Sequence, residues 1–382
     1  MTAEVSFFRR DVLVGAPAGR KPAVGKGHEP FALVAPSGEI VAVQELAIRP
    51  GRERRDAMRH YPDQDEVDRV WVAFRAPEVP ASGLGSLAPR AMRQAPPPAG
   101  LETGEGLLAN RRMAVHLSPI GALGLEDRRT GERYDGLARL EDEPDAGDTY
   151  TFSRGAARAV RHGIPGSRSV VAGGPLVGAV EARWSMKSAG EGGLGLRLLA
   201  VLHADSAVVR LRFDVDNGAG DHRLRARFPV GAGGGGVAVA GAAFGTVRRP
   251  PATAARRGAA LEHPVAMAPA QRFVAAAAGA RGLVVLAPGF FEYEWTRKGE
   301  LVVTLLRAVG ELSRAGLAER PGHAGWPEPT PLAQEPGRHT IELALVPVAE
   351  DDLGNPDRLE RLWEEAFLPV QAVFLRDFVP GT

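Results

Sequence analysis

Read from the N-terminus, the hydrophobic positions fall into short runs of strand length, with turn residues between them. Residues 12–14, 31–34, 39–46 and 70–74 are apolar runs, and Ser37-Gly38 marks a turn between two of them. The run Val70-Trp71-Val72-Ala73-Phe74 is apolar on both faces, which predicts a central strand of a small sandwich. Further on, residues 106–115 and 120–127 flank Ser118-Pro119 and are followed by Arg129-Thr130-Gly131-Glu132, a hairpin-like rhythm. Strands are then predicted at 177–184, 195–203, 207–214, 222–228, 281–286, 301–309 and 340–346, each with β-branched or aromatic content. Their regular spacing predicts a large antiparallel β-sandwich. Only residues 357–367 carry a helical period: Leu359, Leu362, Trp363 and Ala366 recur at three and four, with charges between them.

The expected organisation is therefore mainly β. A small β-sandwich domain over residues 1–87 precedes a linker over 88–105, where Pro89, Pro96, Pro97 and Pro98 withhold backbone donors and fix their own angles. The large β-sandwich domain spans 106–382, with one short helix near its end. Gly and Pro number 47 and 31 in 382 residues, which favours turns over long helices. Part of that excess matches the coding bias of a GC-rich bacterial genome.

Charge and composition exclude several function classes. Lys plus Arg number 47 and Asp plus Glu 46, so no basic excess is available for a phosphate backbone, and nucleic-acid binding is not expected. The absence of cysteine removes disulfides and thiolate catalysis and suits a reducing cytoplasm. No apolar stretch approaches the ~20 residues that span a bilayer, and the charged start MTAEVSFFRR does not read as a signal peptide. A cytoplasmic protein without a membrane partner is expected.

Four constellations bear on chemistry. His203-Ala204-Asp205 has His-x-Asp metal-ligand spacing, but its apolar flanks and the lack of a second ligand pair favour a strand end. Residues 231–236, Gly-Ala-Gly-Gly-Gly-Gly, have dinucleotide-loop spacing without a helix behind them, and read as a sandwich loop. The stretch from Glu141 to Tyr150 holds five carboxylates, which can serve as acid and base, bind calcium, hydrogen-bond sugar hydroxyls, or simply form a solvated acidic loop. Within it Asp145 and Asp148, flanking Gly147 and adjoining Tyr150, are the candidates for a polyol contact. Finally, His323 and Trp326 in Pro321-Gly322-His323-Ala324-Gly325-Trp326-Pro327 suit a sugar-ring platform or a loop braced by its prolines.

Five ordered segments carry a resemblance. They are Arg59-His60-Tyr61-Pro62-Asp63-Gln64-Asp65-Glu66-Val67, Thr130-Gly131-Glu132-Arg133-Tyr134-Asp135-Gly136-Leu137, Asp145-Ala146-Gly147-Asp148-Thr149-Tyr150-Thr151-Phe152, Asp216-Asn217 with Asp221-His222-Arg223-Leu224-Arg225, and Arg307-Ala308-Val309-Gly310 with Arg320-Pro321-Gly322-His323-Ala324-Gly325. Together they resemble the C-terminal half of bacterial α-mannosidases of glycoside hydrolase family 38. The resemblance implies a retaining, zinc-dependent α-mannosidase built from an N-terminal α/β barrel, a helical bundle and β-sandwiches, the larger a galactose mutarotase-like supersandwich. It also implies that the zinc ligands, the nucleophile and the acid lie in the barrel and the region just after it, ahead of the region that this chain matches. No catalytic residue and no metal ligand is then expected here, and the chain reads as a split or truncated product. Its expected partners are the catalytic barrel and a mannoside. In the family a tyrosine of the large sandwich reaches the mannose pocket, and Tyr150 is the candidate for that position. A stand-alone carbohydrate-binding sandwich and an inactive fragment are the alternatives.

Overall fold

The computed structural model describes residues 2–8, 30–57, 60–77, 79, 83–92, 100–154, 160–190, 192–231, 236–251, 262–263, 265–290, 292–368 and 371–374. The expected strand at 12–14 and the glycines within 232–235 lie outside them. The chain forms two compact units: residues 1–100 with 174–177 and 369–382, and residues 101–173 with 178–368.

The smaller unit packs two three-stranded antiparallel sheets. One holds Thr2–Phe8, His60–Phe74 and Val43–Ala57, with His60–Phe74 in the middle; the other holds Ile40–Val41, Phe31–Val34 and Ala88–Ala91. Val5, Phe31, Leu33, Val41, Val70, Val72 and Phe74 close on one another as its core. The run around Val70 is central, as its two-sided apolarity predicts, although Trp71 stays 41% exposed. Pro89 sits in the Ala88–Ala91 strand opposite Leu33 at the sheet's edge, where a missing backbone donor costs no ladder bond.

The larger unit wraps three antiparallel sheets around one core. A five-stranded meander runs through Glu102–Gly104, Leu107–Ala109, Met113–Leu117, Leu123–Asp127 and Glu132–Leu137. A nine-stranded sheet runs in the order Ile164–Gly173, Val177–Lys187, Gly193–His203, Val209–Asn217, Gly337–Ala349, Arg281–Leu286, Gln271–Ala278, Ala238–Ala242 and Gly245–Arg249. A second five-stranded sheet orders Arg139–Pro144, His222–Pro229, Glu300–Ala308, Tyr293–Trp295 and Met267–Ala268. Val115 and Leu125, Leu198 and Leu211, and Leu224 and Phe228, drawn from the three sheets in turn, meet in that core. Trp184 enters it between Gly121 and Gly163, where a Cβ would come within 2.4 and 2.3 Å of the indole.

The helix spans Pro356–Phe367. Proline at its first turn and Asn355, whose side chain accepts from the Arg358 amide, set its start. Leu359 and Ala366 are buried against a second cluster that includes Phe273 and Val284, and the Trp363 indole donates to the Ala287 carbonyl at 2.7 Å.

Candidate functional site

The second five-stranded sheet has two unlike faces. Along His222–Pro229, Leu224, Ala226 and Phe228 turn into the core, while Arg223, Arg225 and Arg227 form a row on the other side. Acids on neighbouring strands match that row. Arg223 binds Glu143 at 2.6 Å and Glu292 at 2.8 Å; Arg225 binds Glu141 and Glu294, both at 2.8 Å; Arg227 binds Glu141 at 2.7 Å and also Glu300. Arg223 and Glu143 are 1% and 0% exposed, so these are interior charges that depend on being paired. Burial alone would push the Glu143 carboxyl up, but the guanidinium groups of Arg223 and Arg225 outweigh it and hold the acid below its usual range. The Arg223 guanidinium also stacks on Phe152, 3.4 Å from the ring centre.

The acidic stretch from Glu141 to Tyr150 is thus neither a solvated loop nor a row of free carboxylates. Glu141 and Glu143 belong to the ladder. Asp142 accepts from the Ser188 hydroxyl at 2.9 Å and lies 2.6 Å from His222 Nδ1, all within the interior. Asp145 accepts from the Gly147 amide at 2.8 Å and from Arg307 Nε at 2.6 Å. Asp148 accepts from the amides of Tyr150 (3.0 Å), Thr151 (2.8 Å) and Arg314 (2.8 Å), and from Arg320. Burial would raise the Asp148 carboxyl; the three amides and the Arg320 charge prevail and hold it below the usual carboxylate range. Both aspartates are buried, and their oxygens are spent on the protein.

Their effect is to fix the turn that carries Tyr150, whose side chain is 58% exposed. Two separate sequence candidates meet here. The Thr149 hydroxyl donates to the Leu312 carbonyl at 2.8 Å, Arg320 donates to the Gly322 carbonyl at 2.6 Å, and the Ser313 hydroxyl accepts from the amides of Ala324 and Gly325. The Tyr150 ring lies so close to Gly325 that a Cβ there would sit 2.9 Å from the phenol oxygen. Trp326 follows, 79% exposed. Beneath Tyr150 opens a cleft of about 600 Å³ lined by Thr149, Phe152, His263, Glu292, Arg307 and Arg320, with Glu262 and Glu319 among the remaining walls. Sequence reasoning did not single out His263, Glu262 or Glu319; Glu262 and His263 are neighbours in one loop, Glu319 lies alone in another, and no spacing marks them.

His203 and Asp205 lie away from this cleft, at the end of the Gly193–His203 strand and in the turn after it. Asn110 donates to the His203 carbonyl at 2.7 Å, and Asp205 faces Arg111 at 3.6 Å. Burial, with the Arg210 charge adding to it, pushes the His203 imidazole down to about 4. Among the described residues no group of three or more His, Asp or Glu is placed to hold a metal ion, and no helix is long and apolar enough to cross a membrane.

Comparison with known proteins agrees with this architecture. Over 95% of its length the chain superposes on 43% of an α-mannosidase from Enterococcus faecalis, with a TM-score of 0.70 and 17% identity. A second Enterococcus faecalis structure, a protein of glycosyl hydrolase family 38, gives a TM-score of 0.69 at 17% identity, covering 95% of this chain and 44% of that one. In sequence, a Halalkalibacterium halodurans protein provisionally named mannosylglycerate hydrolase is 28% identical over 275 residues, 64% of this chain and 29% of that protein. The chain thus spans less than half the length of these relatives. Residues 108–311, more than half of it, match the model of the glycosyl hydrolases family 38 C-terminal domain, and the chain belongs to that family.

Proposed function

We propose that this chain is the non-catalytic, substrate-rim part of a retaining, zinc-dependent α-mannosidase that hydrolyses terminal α-mannosides, packing on a catalytic α/β barrel that supplies the zinc and both reacting carboxylates. The observation that supports this reading most is Tyr150: an exposed phenol at the mouth of a cleft, on a turn pinned by two buried Asp–Arg pairs. A phenol both donates and accepts hydrogen bonds, which suits a sugar hydroxyl. In this reading Tyr150 touches the substrate, while Asp145 and Asp148 are positioning residues that fix its turn. No step is assigned to zinc in this chain, because the reading places the zinc on the barrel. The cysteine-free composition suits a cytoplasmic location.

The test is release of nitrophenol from p-nitrophenyl α-mannoside, with zinc or cobalt added, by the purified chain alone and mixed with a catalytic barrel polypeptide of the same family. No turnover is expected alone, and turnover on mixing. Tyr150→Phe should lower that turnover by about tenfold, the equivalent of one lost hydrogen bond. Zinc-dependent turnover by the chain alone would overturn the reading. A stand-alone carbohydrate-binding sandwich is the second reading, favoured by a cleft formed wholly within one unit of the chain. Mannoside affinity without turnover on mixing would select it.

A further inference from the structure

The charges lining the cleft do not balance. Arg307 is matched by Asp145 and Arg320 by Asp148, each aspartate buried behind its arginine. Glu292 accepts from Arg223 at 2.8 Å and from the Thr304 hydroxyl at 2.7 Å. Glu262 and Glu319 remain. Neither carboxylate has a hydrogen-bond or ion-pair partner among the described residues, and Glu319 Oε2 is shielded from solvent with its lone pairs unused. The two acids are held near each other, because the His263 amide donates to the Glu319 carbonyl at 2.8 Å. Two carboxylates without counter-charges leave that wall of the cleft net negative, which opposes a second anion brought against it.

We infer that the cleft takes a glycoside without an acid group, a hydroxyl of it donating to the exposed Glu262, and that the Glu262 and Glu319 carboxylates together exclude acid-bearing glycosides. The inference rests on the reading of the cleft as a sugar contact and adds its charge selectivity. It separates this chain from its relative named for mannosylglycerate, whose glycerate carboxylate would meet two like charges here.

The test is a ligand-observed NMR titration of the full chain with three mannosides that differ only in the aglycone: methyl α-mannoside, α-mannosylglycerate and aminoethyl α-mannoside. Mannosylglycerate should bind at least about fivefold more weakly than the methyl glycoside, and the aminoethyl glycoside at least as tightly as it, as expected for two like charges within about one Debye length of the acid group. Glu319→Gln and Glu262→Gln should each narrow the gap, and about 0.5 M salt should nearly close it. Glu262 is exposed, so its variant keeps the test valid if the Glu319 variant folds poorly. Equal or tighter binding of mannosylglycerate, or a gap unchanged in both variants, would overturn the charge inference while leaving the sugar contact standing. Failure of all three mannosides to bind would remove the sugar contact itself, and this inference with it.

Discussion

Asp148→Asn is the most informative single change in the larger unit. The substitution keeps the size of the side chain but turns one of its two oxygens into a donor. In the native protein one oxygen accepts from the Tyr150 and Thr151 amides at 3.0 and 2.8 Å, and the other from the Arg314 amide at 2.8 Å and from Arg320. Whichever way the asparagine turns, its NH2 group faces donors. Arg320, 5% exposed, keeps the Thr151 hydroxyl and the Gly322 carbonyl but loses its counter-charge. Breaking a buried pair on one side costs about 3 to 5 kcal/mol. With a urea slope of about 2 to 3 kcal/mol/M, the midpoint should fall by roughly 1 to 2.5 M. Tryptophan fluorescence is a suitable probe, since Trp184, Trp295, Trp326 and Trp363 all lie in the larger unit. The carboxyl is held below its unfolded value of about 3.9, so its contribution is present above that pH and lost as pH falls through the folded value. The variant should therefore lack part of the wild-type loss of stability below about pH 4. A cost under about 1 kcal/mol, or simple additivity with Arg320→Met in the double variant, would refute the argument, because a true pair couples.

Three further outcomes are expected. Gly325→Ala places a methyl 2.9 Å from the Tyr150 oxygen; stability should change by less than about 0.5 kcal/mol, while mannoside affinity measured by NMR titration falls about threefold to tenfold as the ring swings away. Gly163→Ala drives a methyl to 2.3 Å from the Trp184 indole, and should cost about 1 to 3 kcal/mol in urea unfolding, with a changed near-ultraviolet circular dichroism band. Leu359→Ala empties a fully buried site beneath the helix and should cost about 2 to 4 kcal/mol by the same measure.

Periodicity explains what could be read along the chain. Phe31–Val34, Arg281–Leu286 and Pro356–Phe367 emerge where their apolar patterns place them, because each buries one continuous run or stripe. Gln271–Ala278 gives no such signal: its alanines favour helix by propensity, yet they lie in a strand between Arg281–Leu286 and Ala238–Ala242, where small side chains pack on both sides. The acidic stretch was the least legible. Five acids within ten residues look solvated until their partners are known, and most of the charged partners lie 80 to 172 residues further along. The approach of Tyr150 to Gly325 is equally non-local, which is why the acidic turn and the loop bearing His323 and Trp326 look unrelated in sequence.

The row of arginines on His222–Pro229 also acts on folding. Arg223, Arg225 and Arg227 alternate with Leu224, Ala226 and Phe228, so a slip of one residue against Arg139–Pro144 or Glu300–Ala308 would exchange the two faces. Three guanidinium groups would then enter the apolar core, and three apolar side chains would face Glu141 and Glu143. Apolar packing alone penalises such a slip only by what it exposes; the charges add the cost of several unpaired interior ions. The ladder thus works as a key that admits a single alignment of the sheet, and the cleft above it inherits that alignment.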